Sequence, residues 1–428
     1  MSGAAGASLE DVGDEAREWI GAHWVANLSL HDWRVMLLES GWACPSWPVE
    51  WFGRGLPVAA DAVVATALAD LGAVGAAGGS GMGLAAPTIL EHGSKDLKGR
   101  LLRPIVLGEH LWCQLFSEPG SGSDLAGLTT RAERDGDEWV VNGQKVWNTS
   151  AHHADFGMLL ARTNWDVPKH AGITYFALPM NQPGVDVRPL RQMNGYASFN
   201  EVFLTDARVR DDNVIGGIDG GWRVALATLA HERRLGSVLA RRPPRTSKGR
   251  AVDEAVSEAE EAFKPYVWYP QRAGRADLVA DLTRASTRRP DPVLRQDVVR
   301  LLSLVRVAQW TAQRAGAARA LGRPPGPEGS LGKLHSSAIA RTAAHVHTLL
   351  AGTHAMLSGP DGPLDGLVSE ILVSVPAVSI AGGTDEIQHN IIGERVLGLA
   401  KEPQTDRDMP FRSVPNSAGR TDNDRGRS

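Results

Sequence analysis

The apolar residues of this chain change their spacing twice, near Cys113 and again near Gly221, so a stretch of strands has to fold between two stretches of helix. Ahead of the first change, Val63, Val64, Ala67, Leu68 and Leu71 recur at three- and four-residue intervals, the period of a helix facing a core. Between the changes the apolar runs are short: Phe156–Ala161, Ile173–Leu178 and Glu201–Leu204 are bounded by Asp, Gly and Pro and read as strands. Beyond Gly221 the helical period returns. Val224, Ala225, Leu226, Leu229, Leu235, Val238 and Leu239 follow one helix, and Leu301–Leu321 and Leu331–Leu350 predict two more across the Gly/Pro loop Gly322–Gly329. The expected class is α+β, with an N-terminal all-α domain over 1–111, a middle β domain over 112–220 and a C-terminal helical bundle over 221–400. Residues 401–428, rich in Asp, Arg, Ser, Pro and Asn, are expected to form a disordered tail.

Composition narrows the function classes. The 428 residues suffice for two or three cored domains. A net charge of -4 supplies no basic field for nucleic acid. Cys44 and Cys113 are too few for a disulfide framework or a Cys-based metal site, no metal site is assigned, and a reducing cytoplasm is the expected location. The N-terminus shows neither a basic nor an apolar leader region, and the apolar stretch Leu56–Leu90 is interrupted by Asp61 and Asp70, so no membrane span is expected. Trp42, Trp47 and Trp51 fit helix packing better than a ligand cage.

The stretch from Trp112 to Trp147 carries the chemistry. Within Ser117-Glu118-Pro119-Gly120-Ser121-Gly122-Ser123-Asp124, the proline and glycines prevent a helix, and short hydroxyls stand beside exposed amides, a cradle for an anion or a polar ring edge. Alone, such a loop is ordinarily only a turn. Its context is more specific: a hairpin at Asp135-Gly136, a strand at Glu138–Val141, then Asn142-Gly143-Gln144-Lys145-Val146-Trp147. This order resembles the flavin-binding centre of the acyl-CoA dehydrogenase family. The likeness extends through Gly83–Thr88, Phe199–Val202 and the closing Gly383-Thr384-Asp385-Glu386-Ile387-Gln388, and runs from about Trp42 to Leu399.

The resemblance implies a helical N-terminal domain, a β-barrel-like middle domain, a C-terminal bundle, bound FAD, and oxidation of an acyl-CoA to its trans-2-enoyl-CoA, with electron-transfer flavoprotein as acceptor. It gives Phe116, Ser117, Ser123, Trp147, Thr149, Thr384 and Glu386 to the cofactor, and Ser123, Arg233 and Gly383 to the substrate. Apolar faces on the C-terminal helices predict a homodimer or homotetramer.

Two departures from the family pattern stand out. The reaction needs a carboxylate base over the α-proton, shielded from water, and donors to the thioester carbonyl. Many members carry that base within Tyr-Glu-Gly-Thr, where this chain has Gly382, which offers a backbone N–H and no carboxylate. Some branches place the base on the first bundle helix in a Glu-Arg pair, and here Glu232-Arg233 stands there, with Gly236 one turn on leaving the same face uncrowded. A helix glutamate is ordinarily solvated; the vacancy at Gly382 favours the catalytic reading, with His231 on a different face as a structural residue. Secondly, no Arg-x-x-Phe-Gly block for the FAD adenine half occurs between Arg241 and Gln296, although Arg288, Arg289 and Arg295 lie in that region. Arg241–Arg245 fits a CoA phosphate site or a solvated loop equally. A heterotetramer with a sister subunit is therefore an alternative assembly. A flavin monooxygenase or oxidase on the same fold, and a non-catalytic partner subunit, are the alternative functions.

Overall fold

The computed structural model describes residues 8–239, 248–285, 292–320, 328–403 and 406–414. The chain divides into two units, one made of residues 1–190, 198–265 and 405–428, the other of 191–197 and 266–404.

The first unit begins with helices α1 (Leu9–His23), α2 (Leu30–Glu39), α3 (Ala59–Asp70), α4 (Ala86–His92) and α5 (Lys95–Leu107). Ser8 starts α1 through a capping box with Asp11, and Ser29 and Ser94 cap α2 and α5 by accepting the N–H of Asp32 and Leu97. Trp33 is fully buried, and its indole N–H donates to the Val74 carbonyl at 2.6 Å. Trp42 is buried with the Arg54 guanidinium over its ring, a packing role.

Among the described residues eight strands follow: β1 (Trp112–Leu115), β2 (Arg131–Asp135), β3 (Glu138–Thr149), β4 (Phe156–Arg162), β5 (Ile173–Pro179), β6 (Val185–Leu190), β7 (Phe199–Arg210) and β8 (Val214–Ile215). They form one sheet in the order β6-β7-β3-β2-β4-β5-β8, with β1 added parallel to β4. This path is open; among the described residues no pairing joins β6 to β8. Leu159 and Phe176 face one core with Trp139, Val141 and Val202, whereas Met158, Leu160 and Tyr175 face a second core with Ile89, Leu101 and Val224. Burial on both faces explains why β4 and β5 are continuous apolar runs instead of alternating ones. β3 continues past Val141, where the alternation suggested its end, because Gly143, Gln144 and Lys145 pair with Leu204, Phe203 and Val202.

Helices α6 (Gly221–Leu239) and α7 (Arg250–Phe263), read above as the start of the C-terminal bundle, belong to this first unit. α7 places Val252 and Ala255 in the core of α1–α3, and its Glu258 pairs with the buried Arg34 at 2.6 Å. Residues 406–414, within the stretch expected to be a tail, pack on the segment after β4 through a buried Phe411. Composition misses such a segment because one aromatic anchor barely changes an average.

The second unit contains α8 (Tyr269–Arg272), α9 (Ala276–Ala285), α10 (Pro292–Ala320), α11 (Glu328–Ala351), α12 (Leu367–Ser374), α13 (Pro376–Ile380) and α14 (Asp385–Arg395). α9, α10 and α11 share a core of Val279, Leu301, Ala343 and Val346; α11, α12 and α13 share another of Ala340, Ile371, Val375 and Val378. The span Leu367–Arg395 is long and apolar enough to cross a membrane. It is divided into three helices at Val375 and at Ala381–Thr384.

Candidate functional site

The loop after β1 is built around one buried ion pair. Glu118 and Ser121 exchange backbone hydrogen bonds at 3.0 Å, closing a tight turn with Pro119 and Gly120 at its corner. The Glu118 carboxylate, whose side chain is 5% exposed, accepts from the N–H of Thr129 (2.7 Å) and Thr130 (2.8 Å), the Thr129 hydroxyl (2.8 Å) and the Lys145 ammonium (2.9 Å). Burial by itself raises this carboxyl, but the Lys145 charge and these bonds outweigh it and hold it down at about 2. Lys145, fully buried on β3, also donates to the Phe116 carbonyl at 3.1 Å, and Val146 N–H donates to the Ser117 carbonyl at 2.9 Å. Sequence alone assigns no role to Glu118 or Lys145. Their types were the available signal: opposite charges in two stretches that otherwise alternate as strand and turn.

The residues expected to meet a flavin fall into two sets. In the first unit, Ser117 is half-buried and Ser123 exposed, and neither hydroxyl has a hydrogen bond among the described residues. Between Lys145 and Asn148 the register of β3 against β7 shifts, a bulge that puts Trp147 at φ +64°. Its indole is thereby turned out to 56% exposure, with the Phe199 ring edge-on at 5.8 Å. Thr149 ends the same strand, half-buried and paired with Phe199. Asn148, between them, donates to the Gln114 carbonyl at 2.7 Å, and its own side-chain oxygen has no partner among the described residues. The Phe116 ring is buried, edge-on against Tyr175. An exposed indole, unengaged hydroxyls and an orphaned amide oxygen along β3 and the adjoining loop fit a flat ring with a polar edge, as FAD has.

Glu232 lies on α6, half-buried, with the Gln114 amide nitrogen 3.5 Å from its Oε2. Gln114 sits on β1, two residues before Phe116, so this contact joins the candidate base to the strand that leads into the Ser117 loop. Gln114 was not singled out from sequence, though it is the one polar residue of β1. His231 lies 3.7 Å from Glu91 of α4, consistent with a packing role. One turn before Glu232, Thr228 is fully buried and bonded to Thr88 (2.9 Å) and Tyr175 (3.2 Å), tying α6 to α4 and β5. The side chain of Arg233, and all of Arg241–Arg245, Arg288 and Arg289, lie outside the described residues; Arg295 is exposed on α10.

In the second unit, Gly382 and Gly383 are exposed at φ +67° and +83°, the left-handed region that favours glycine. The Gly382 N–H has no acceptor among the described residues, whereas the Gly382 and Gly383 carbonyls each accept from Gln388 Nε2 at 3.4 Å. Thr384 caps α14, its hydroxyl accepting the Ile387 N–H at 3.2 Å, and Glu386 is exposed in the first turn. Asp385 is buried and bound to Ser337 (2.7 Å), Arg341 (3.0 Å) and Lys333 (3.4 Å), a structural tie between α14 and α11.

Three family models match the chain in succession: acyl-CoA dehydrogenase, N-terminal domain, over residues 9–109; the middle domain over 113–207; and the C-terminal domain over 276–397. The acyl-CoA dehydrogenase IpdE1 of Mycobacterium tuberculosis is 36% identical over 376 residues, which is 86% of this chain and 88% of that protein. Acyl-CoA dehydrogenase FadE34 of the same organism is 34% identical over 385 residues, 88% of this chain and 47% of its own length. Among solved structures, the ChsE4-ChsE5 complex from Mycobacterium tuberculosis superimposes with a TM-score of 0.62 at 25% identity, covering 94% of this chain and 100% of that one.

Proposed function

The chain belongs to the acyl-CoA dehydrogenase family, a family of oxidoreductases, and from that premise we propose that it oxidises an acyl-CoA thioester to the trans-2-enoyl-CoA, using FAD, with Glu232 as the base. When bound, FAD accepts the hydride from the β-carbon. Glu232 takes the α-proton onto its carboxylate; Ser117, Ser123, Thr149 and the Trp147 indole orient and cover the cofactor. The roles that the family pattern gives to Arg233, Gly382, Gly383, Thr384 and Glu386 are part of the same proposal. The observation that carries it is the contact between Glu232 and Gln114 at 3.5 Å, which sets a half-buried carboxylate beside the strand feeding the Ser117 loop. A partner with only a structural role has no need of that carboxylate.

The test is anaerobic mixing of the flavin-loaded protein with acyl-CoA, followed by flavin bleaching. Glu232→Gln keeps the shape and loses the basicity, and is expected to slow bleaching on the order of a hundredfold to ten-thousandfold with binding retained. Bleaching at nearly the wild-type rate would remove Glu232 from the mechanism. A reduced flavin that reacts with oxygen faster than with electron-transfer flavoprotein would instead favour the oxidase reading. A panel of straight, branched and steroid-side-chain CoA esters identifies the acyl group.

The assembly we propose is heteromeric, a sister subunit supplying the adenine-side contacts that an Arg-x-x-Phe-Gly block would otherwise make. Supporting it are the missing Arg-x-x-Phe-Gly block and the likeness to the ChsE4-ChsE5 complex; the exposed Val299, Leu302, Val307 and Trp310 on α10 are apolar surface that subunits of either assembly would cover. Full flavin occupancy of the chain expressed alone would favour the homo-oligomer.

A further inference from the structure

The segment 406–414 lies beyond the last family match, which ends at residue 397, yet it is tightly held by the first unit. Phe411 N–H donates to the Val167 carbonyl at 2.9 Å, Arg412 N–H to the Trp165 carbonyl at 3.0 Å, and the Arg412 guanidinium pairs with Asp166. The Phe411 ring, 4% exposed, lies 3.4 Å from the guanidinium carbon of Arg162. Arg162 ends β4 with no exposed surface and donates to the carbonyls of Ala126 (2.7 Å), Leu128 (3.1 Å) and Lys169 (3.1 Å). Of those carbonyls, Ala126 lies within the 3-10 turn Leu125–Gly127 and Leu128 directly follows it, just after Ser123 and Asp124. A second link runs in parallel: Lys169 holds both carboxylate oxygens of Asp124 at 3.1 Å and lies 3.7 Å from Asp406.

We propose that residues 406–414 form a strap that positions the Ser123 loop for FAD, with Phe411 and Arg162 as its positioning residues. A buried guanidinium keeps its bonds to backbone carbonyls only while water is kept from competing for them, and an aromatic face is a cover that also attracts the cation. With the ring in place, Ala126 and Leu128 are fixed to β4 through Arg162. Without it, water reaches Arg162, the turn after Asp124 loosens, and the Ser123 hydroxyl and nearby amides lose their preset direction. The strap therefore stabilises the loop from behind without touching the ligand. This inference rests on the reading that the Ser117–Asp124 loop contacts the flavin.

The experiment separates the two. In full-length Phe411→Ala, hydrogen–deuterium exchange of the amides of 124–130 is compared with wild type, and FAD affinity is measured by flavin fluorescence in the assembly in which the wild-type chain loads. Exchange at 124–130 is expected to rise about tenfold and FAD affinity to fall about tenfold, with far-ultraviolet circular dichroism unchanged. Phe411→Leu, which keeps the apolar cover and loses the ring face, is expected to fall between, and a chain ending at Pro403 to match Phe411→Ala or exceed it. Unchanged exchange at 124–130 in both Phe411→Ala and the shortened chain overturns the strap. Faster exchange with unchanged FAD affinity leaves the strap but overturns its role toward the cofactor; the assignment of this loop to the flavin falls only if Ser123→Ala also leaves FAD affinity unchanged.

Discussion

Replacing Glu118 by Gln tests whether the loop after β1 depends on the buried pair with Lys145. Glu118 is 5% and Lys145 0% exposed, so removing one charge leaves the other without water to solvate it. For a buried pair broken on one side the cost is about 3–5 kcal/mol. The direction of the titration agrees: the Lys145 charge and the hydrogen bonds hold the carboxyl at about 2 against an ordinary 4.5. The sign follows from the direction of the shift. A carboxyl depressed in the folded state contributes its full stability above pH 4.5, and the contribution is lost as pH falls from there toward about 2. The assay is urea unfolding of wild type, Glu118→Gln, Lys145→Met and the double variant, from neutral pH down to pH 3. Glu118→Gln is expected to be the most destabilised, and the double variant less so than the sum of the singles, by about 2 kcal/mol or more. Wild type is expected to lose stability below pH 4.5 more steeply than Glu118→Gln. Additive single effects together with parallel acid profiles would refute the reasoning, since both require the two charges to be coupled.

Other expectations follow from single residues. Trp147→Ala removes an indole that is 56% exposed, so FAD affinity should fall about tenfold with thermal stability nearly unchanged; a lowered melting temperature at full affinity would make Trp147 a packing residue. Gly383→Ala forces a side chain into φ +83°, with the new Cβ 2.6 Å from Gln388 Nε2, and should cost roughly 1–2 kcal/mol in a denaturant melt; an unchanged midpoint would count against the geometry of that turn. Burial pushes the Cys113 thiol up to about 12 and raises Cys44 as well. A thiol reagent at neutral pH is thus expected to label neither cysteine until the protein unfolds, and fast labelling of the native protein would show that one of them is open to solvent.

What the sequence determined by itself was local in origin. Helix and strand follow from spacing over a turn or two of chain, so the change of period near Cys113 and Gly221 reported the α, β, α order without any knowledge of partners. The Ser117–Asp124 loop was legible for the same reason: proline and glycine exclude helix wherever they stand. The gap at Gly382 and the carboxylate at Glu232 were legible too, because each is a matter of residue type at a position in a known pattern. What only the tertiary structure decided was which distant groups meet. Lys145 joins the Glu118 loop from β3, Gln114 meets Glu232 from β1, Arg34 takes its carboxylate from α7, and Phe411 covers Arg162 from beyond the last family match. The physical reason is that burying a charge requires a partner but does not say where in the chain that partner lies; packing chooses it, and spacing along a sequence carries no record of that choice.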